Sequence, residues 1–225
     1  RNLIRSYLER DIPQFGFRVP AETLRRFWTM LAHHQGGLLN AASLAKGLGI
    51  SGQSVARYLD ILVDLLLVRR LQPWHANIGK RLVKSPKIYI RDSGLLHALL
   101  DIKDSDDLLS HPVLGHSWEG FVIENLIDEN SPHHYRPYFY RTQSGAEIDL
   151  VLERGGKPEI AIEIKRASAP KAGKGFHIAC DDLDIKHRYV VYPGVEPYLL
   201  SSNIWATPMK DLMLSLKRQT GLSFG

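Results

Sequence analysis

Cysteine is almost missing from the chain: Cys180 is the single one in 225 residues. One thiol excludes an internal disulfide and every multi-cysteine zinc or iron–sulfur site, and it suits a reducing compartment. No stretch approaches the roughly 18 uninterrupted apolar residues that a membrane-spanning helix needs. The opening RNLIRSYLERD has no signal-peptide core, so the expectation is a cytoplasmic protein with no membrane contact. Neither a G-x-x-x-x-G-K-[ST] phosphate loop nor a G-x-S-x-G nucleophile elbow occurs. Position 1 is arginine, and a piece of a longer protein is expected.

What is present suffices for a folded core. The chain is 44% hydrophobic and 24% charged, and its length allows one large domain or two small ones. Its charge is unevenly spread. Residues 1–100 hold 15 lysines and arginines against 6 carboxylates, whereas residues 101–225 hold 14 against 18. A basic half followed by a mildly acidic one argues for two domains, the first suited to a polyanion. Within it Arg69, Arg70, Lys80, Arg81, Lys84, Lys87 and Arg91 occupy a 23-residue span without a carboxylate.

Helical spacing of Leu24, Phe27, Trp28 and Leu31 predicts a helix over 21–34. A short helix over about 40–46 follows, then the turn Gly47-Leu48-Gly49-Ile50, with Ser51 capping a third helix through Val55, Leu59, Leu62 and Leu66. Gln53, Ser54, Arg57 and Tyr58 fall near its exposed N-terminal end. Two strands, 68–74 and 87–91, flank a basic loop. Three helices and a basic two-stranded wing make a winged helix-turn-helix over residues 17–100. Gly47 to Gly52 also fits G-x-G-x-x-G, but no strand precedes it, so these glycines read as helix punctuation.

Four aspartates in 101–107 read as a connector. A helix over 113–129, strands at 138–142, 147–153 and 159–165, a helix at 174–182, a strand at 188–192 and a helix at 209–217 then give a mixed sheet flanked by helices, the second domain, 101–225. The Arg154-Gly155-Gly156-Lys157 turn makes the second and third strands a hairpin. The fold class is α/β of the α+β type.

In GAEIDLVLE, strict alternation puts Ile148, Leu150 and Leu152 on one face and Glu147, Asp149 and Val151 on the other. In EIAIEIKRA, Ile160, Ile162 and Ile164 share a face, and Glu163 and Lys165 project from the opposite one. Across a hairpin Asp149 and Glu163 come within reach of one cation. Two hard oxygen ligands suit Mg²⁺ or Mn²⁺, and Lys165 beside them could orient water or stabilise developing negative charge. Asp149 is expected to be replaceable by alanine with the fold intact.

This arrangement resembles the PD-(D/E)XK nuclease superfamily, with its helix, three strands, helix and strand. The resemblance assigns catalytic roles to Asp149, Glu163 and Lys165 and metal ligation to Glu119, Asp149 and Glu163, with Glu124 as second choice on the helix. Ile148 stands where the motif has proline, and no basic or glutamine motif is evident on the helix after Lys165. A wider resemblance rests on SYLERDIP, the winged helix, KSPKIYIRDSGLL at 84–96 and the Glu-Ile-Asp to Glu-Ile-Lys hairpin. Together these are similar to the C-terminal region, itself a domain of unknown function, of a family of predicted prokaryotic AAA-type ATPases. It implies that residues 1–16 are the tail of an upstream ATPase module, and that only that module would handle ATP.

Three functions stay open: a DNA-binding portion of such an ATPase whose nuclease-like domain only grips DNA, an active Mg²⁺-dependent endonuclease, or a protein-interaction scaffold. The DNA contacts expected are Gln53, Arg57, Lys80, Arg81, Lys84 and Lys87. Of the histidines, the adjacent pairs His33-His34 and His133-His134 point apart, and His111 with His116 lacks zinc spacing. Cys180 reads as a small core residue. Trp74, Trp205, Tyr135, Tyr138 and Tyr140 read as core or rim aromatics.

Overall fold

The computed structural model describes residues 2–14, 19–75, 81–130, 135–201 and 203–219. The chain folds as a mixed α+β protein in two units, Arg1–Arg70 with Pro86–Phe121 and Leu71–Ser85 with Val122–Gly225. This differs from the expected break at residue 100. Lys80 and the pair His133-His134 lie outside the described residues.

The first unit opens with α1 (Asn2–Ser6), a π-helical stretch (Tyr7–Asp11) and α2 (Ile12–Gln14). Helix α3 (Ala21–His33) buries Leu24, Phe27, Trp28, Leu31 and Ala32, the stripe its spacing predicts. Helix α4 (Ala41–Leu48) starts where the Asn40 side chain accepts from the Ser43 N–H, and it stops at Gly49, whose φ of 65° is left-handed. Helix α5 (Gly52–Asp64) starts under the Ser51 hydroxyl, which accepts from the Ser54 N–H at 3.1 Å. Tyr58, expected outside, is buried with its ring edge-on to Phe27. A two-stranded sheet follows, β1 (Val68–Leu71) with β2 (Lys87–Ile90). Asp92 caps α6 (Ser93–Leu99), and within the aspartate-rich stretch expected to be a connector Asp104 caps α7 (Ser105–Ser110). Helix α8 (Leu114–Asn130) begins here and passes into the second unit after Phe121.

The second unit is built on a six-stranded sheet in the order β3-β4-β5-β6-β8-β7. Strands β3 (Arg136–Arg141), β4 (Glu147–Arg154) and β5 (Lys157–Ile164) are antiparallel neighbours. Gly155 and Gly156, with φ of 62° and 83°, close the β4–β5 turn in the left-handed conformation that a tight hairpin needs. Helix α9 (Lys174–Asp182) crosses over to β6 (His187–Val191), which lies parallel to β5 as the β-α-β rule requires. A hairpin of β7 (Tyr198–Ser201) and β8 (Ile204–Thr207) extends the sheet, and α10 (Met209–Gln219) follows it. Phe176, Ala179 and Cys180 of α9 pack in one cluster with Ile148, Val151 and Ala161.

Two features depart from simple strand reading. Tyr138 pairs with Val151 but Tyr140 pairs with Ile148, so Phe139 on β3 faces two residues, Asp149 and Leu150, on β4. That bulge breaks the expected alternation: Ile148 and Val151 join the same core cluster although they are an odd number of residues apart. The second departure is the basic loop. The Phe139 N–H donates to the Gln72 carbonyl, Trp74 N–H to Phe139, Val83 N–H to Arg141 and Gln143 N–H to Arg81. The loop expected at the tip of a wing therefore lines β3, an edge whose backbone groups would otherwise go unpaired. Once 71–85 is counted with its own unit, the units hold 13 lysines and arginines against 11 carboxylates and 16 against 13. The charge contrast between the halves of the sequence is not a contrast between units.

Candidate functional site

The β4–β5 register pairs Leu150 with Ile162, and one more step along it sets Asp149 opposite Glu163. The two carboxylates are held differently. Asp149 Oδ2 accepts from the Ile164 N–H at 2.9 Å, just past Leu150–Ile162, the last pair of the β4–β5 ladder at this end. Glu163 is buried at 7% exposure; its Oε2 accepts from the Gly173 N–H at 3.0 Å and its Oε1 meets Lys165 Nζ at 2.8 Å. Lys165 reaches Glu163 because residues two apart on a strand share a face, and its side chain is 41% exposed. Gly173 fits here because it is small: a Cβ on it would lie 3.1 Å from Glu163 Oε1.

Asp149 and Glu163 supply the one or two carboxylates with which Mg²⁺ is usually bound, the remaining positions being water and phosphate. An ion held there would take its protein ligands from this pair and would act as a Lewis acid on a phosphate oxygen. Lys165, detached from Glu163, could then neutralise a phosphate. Among the described residues no three His, Cys, Asp or Glu side chains gather to hold a metal.

Glu119 is committed elsewhere. Within the first unit its Oε1 accepts from Tyr89 Oη at 2.6 Å and from Lys87 Nζ at 3.2 Å, and His116 Nδ1 is 3.3 Å from Oε2. Burial works to raise its pKa, but the Lys87 charge and the bonds from His116 and Tyr89 outweigh it and hold the carboxyl down at about 2. Glu124, one and a half turns further along α8, falls in the second unit with Asp149 and Glu163 and is 6% exposed. The two candidate helix acids thus fall in different units, a division that spacing along the helix does not reveal.

Among the expected nucleic-acid contacts, Gln53 and Arg57 are exposed on the first two turns of α5. Arg81 and Lys84 are exposed in the loop beside β3. Lys87 is corrected: its side chain is 4% exposed and bound to Glu119, so a polyanion cannot reach it. Cys180 is fully buried, and burial pushes its thiol up to about 12. Among the described residues no helix is long and apolar enough to cross a membrane.

Residues 1–106 match a family model described as Domain of unknown function (DUF8612), and residues 114–212 match a second, Domain of unknown function (DUF4143). "Uncharacterized protein Rv2008c" of Mycobacterium tuberculosis and "Uncharacterized protein Mb2031c" of Mycobacterium bovis are each 48% identical to this chain over 210 residues, 93% of it. That alignment covers 47% of either relative, so the chain spans about half the length of the curated relatives it matches. No solved structure matches. Two domains of unknown function thus follow one another along the chain, DUF8612 and then DUF4143.

Proposed function

We propose that this chain is the duplex-DNA-binding portion of a longer prokaryotic protein, with a winged-helix-like first unit and a PD-(D/E)XK-like second unit that grips the DNA backbone. The observation that carries the reading is the α4–turn–α5 pair. Gly49 and Ser51 fix the turn, and Gln53 and Arg57 stand exposed at the N-terminal end of α5, the end that reads base edges when such a helix enters a major groove. The upstream partner on this reading is an AAA-type ATPase module. It is supported by the greater length of the relatives and by the frequent company of DUF4143 with such ATPases.

The test is fluorescence anisotropy with labelled duplexes over a salt series. Affinity should fall steeply with salt, because phosphate contacts release counterions, and Arg57→Ala should change the preference between unrelated duplexes. Absence of salt-dependent binding would leave the scaffold as the surviving function. A second reading, an active Mg²⁺-dependent endonuclease, is favoured by Asp149 facing Glu163 with Lys165 alongside. Cleavage of linear, branched or single-stranded DNA with Mg²⁺ or Mn²⁺, lost in Lys165→Ala, would establish it.

A further inference from the structure

The second unit brings together three segments that are rich in cations and contain no carboxylate at all. Residues 71–85, 135–146 and 164–180 together lack aspartate and glutamate, although the unit as a whole has 13. Backbone contacts make them neighbours. The Gln143 N–H donates to the Arg81 carbonyl, and Leu82 bridges Thr142. The turn beyond it, closed by the Thr142 N–H donating to the Ala146 carbonyl, runs against the start of α9: a Cβ on Gly175 would lie 2.6 Å from the Gly145 carbonyl oxygen. One residue before α9, the Gly173 N–H is bound to Glu163.

We infer that Arg81 and Lys84, together with Lys171 and Lys174, form one phosphate-binding track on the second unit, leading across the 142–146 turn to the Asp149–Glu163–Lys165 site. All four side chains are exposed. The carboxylates beside this path are turned to partners within the protein: Glu147 to Arg141 at 3.6 Å, Asp149 to the Ile164 N–H and Glu163 to Gly173 and Lys165. A polyanion therefore meets cations with little opposing charge, the condition for backbone binding without sequence reading. The ligand is the sugar–phosphate backbone of duplex DNA. The inference rests on the DNA-binding reading above, and it moves the basic loop from the wing of the first unit to the nuclease-like unit.

The experiment uses the full chain. Arg81→Gln with Lys84→Gln, and separately Lys171→Gln with Lys174→Gln, should each weaken binding of unrelated duplexes alike. Each pair should flatten the slope of log affinity against log salt by about 2, near 0.9 per phosphate contact. Next, iron-EDTA is tethered to R81C or K174C; Cys180, fully buried, stays unlabelled. The two probes should cut the same duplex within one helical turn, about 10 base pairs. Cuts further apart, or an unchanged slope in either double variant while the parent chain still binds, would overturn the track and leave the DNA-binding reading standing. A parent chain that shows no salt-dependent binding would overturn both.

Discussion

A carboxylate buried against an ammonium group is a stability statement before it is a chemical one. Lys87 is buried and Glu119 nearly so, and the Tyr89 hydroxyl completes the set. Removing one partner of such a pair strands the other charge, at a cost of about 3–5 kcal/mol. Glu119→Ala should therefore lower the urea midpoint sharply, whereas Glu119→Gln, which keeps an acceptor for Tyr89, should cost less. The pH dependence has a definite sign: the folded pKa of about 2 lies below the ordinary 4.5, so the stabilisation is complete above 4.5 and is lost as pH falls through 2. Urea midpoints between pH 6 and pH 2.5 should fall for the parent chain and much less for Glu119→Gln. Asp149 carries a second prediction, because its carboxylate satisfies the Ile164 N–H. Asp149→Ala leaves that donor unmet and should lose about 1–3 kcal/mol, contrary to the harmless exchange expected from sequence, while Asp149→Asn retains an acceptor and most of the stability. Activity lost in both, with stability lost only in alanine, would separate chemistry from scaffolding. The alternation of the strand predicts the face of Asp149 but not the bulge, since an extra residue changes pairing without changing composition.

At the scale of elements, the edge cover of β3 is the part most open to test. Val83→Pro removes the N–H that donates to the Arg141 carbonyl and should lower the melting temperature and promote self-association through the bared edge. Much of this level was legible. Helices α3 and α5, the strands β3 to β6 and helix α9 fall within a few residues of their expected ranges, because periodicity, caps and the Gly155-Gly156 turn agree on them. The β7–β8 hairpin was not legible: β7 carries exposed Tyr198 and Leu199 and lacks the buried alternation that marks a strand. Nor was the fate of the basic loop, whose side chains give no hint that its backbone is bound to β3. For the site, the strand pattern sets Asp149 opposite Glu163 with Lys165 alongside, whereas the division along α8 that parts Glu119 from Glu124 is contained in no local pattern.

For the whole molecule, the segment 71–85 matters more than its length suggests. It lies inside the stretch matched by DUF8612, yet it belongs to the unit that contains nearly all of DUF4143. The boundary drawn by sequence families and the boundary drawn by packing therefore disagree, and inheritance must respect the second. A gene fragment encoding residues 114–212 alone would lack the donors and acceptors of Gln72, Trp74, Arg81 and Val83 that β3 and its turn use. Such a fragment should express as an aggregating species, and a synthetic peptide of residues 71–85 added in trans should restore a monomer by size-exclusion chromatography; aggregation indifferent to the peptide would refute this. In this chain the two matched stretches are therefore not separable by a cut between them: the second unit freed of residues 71–85 needs another strand to dress the same edge.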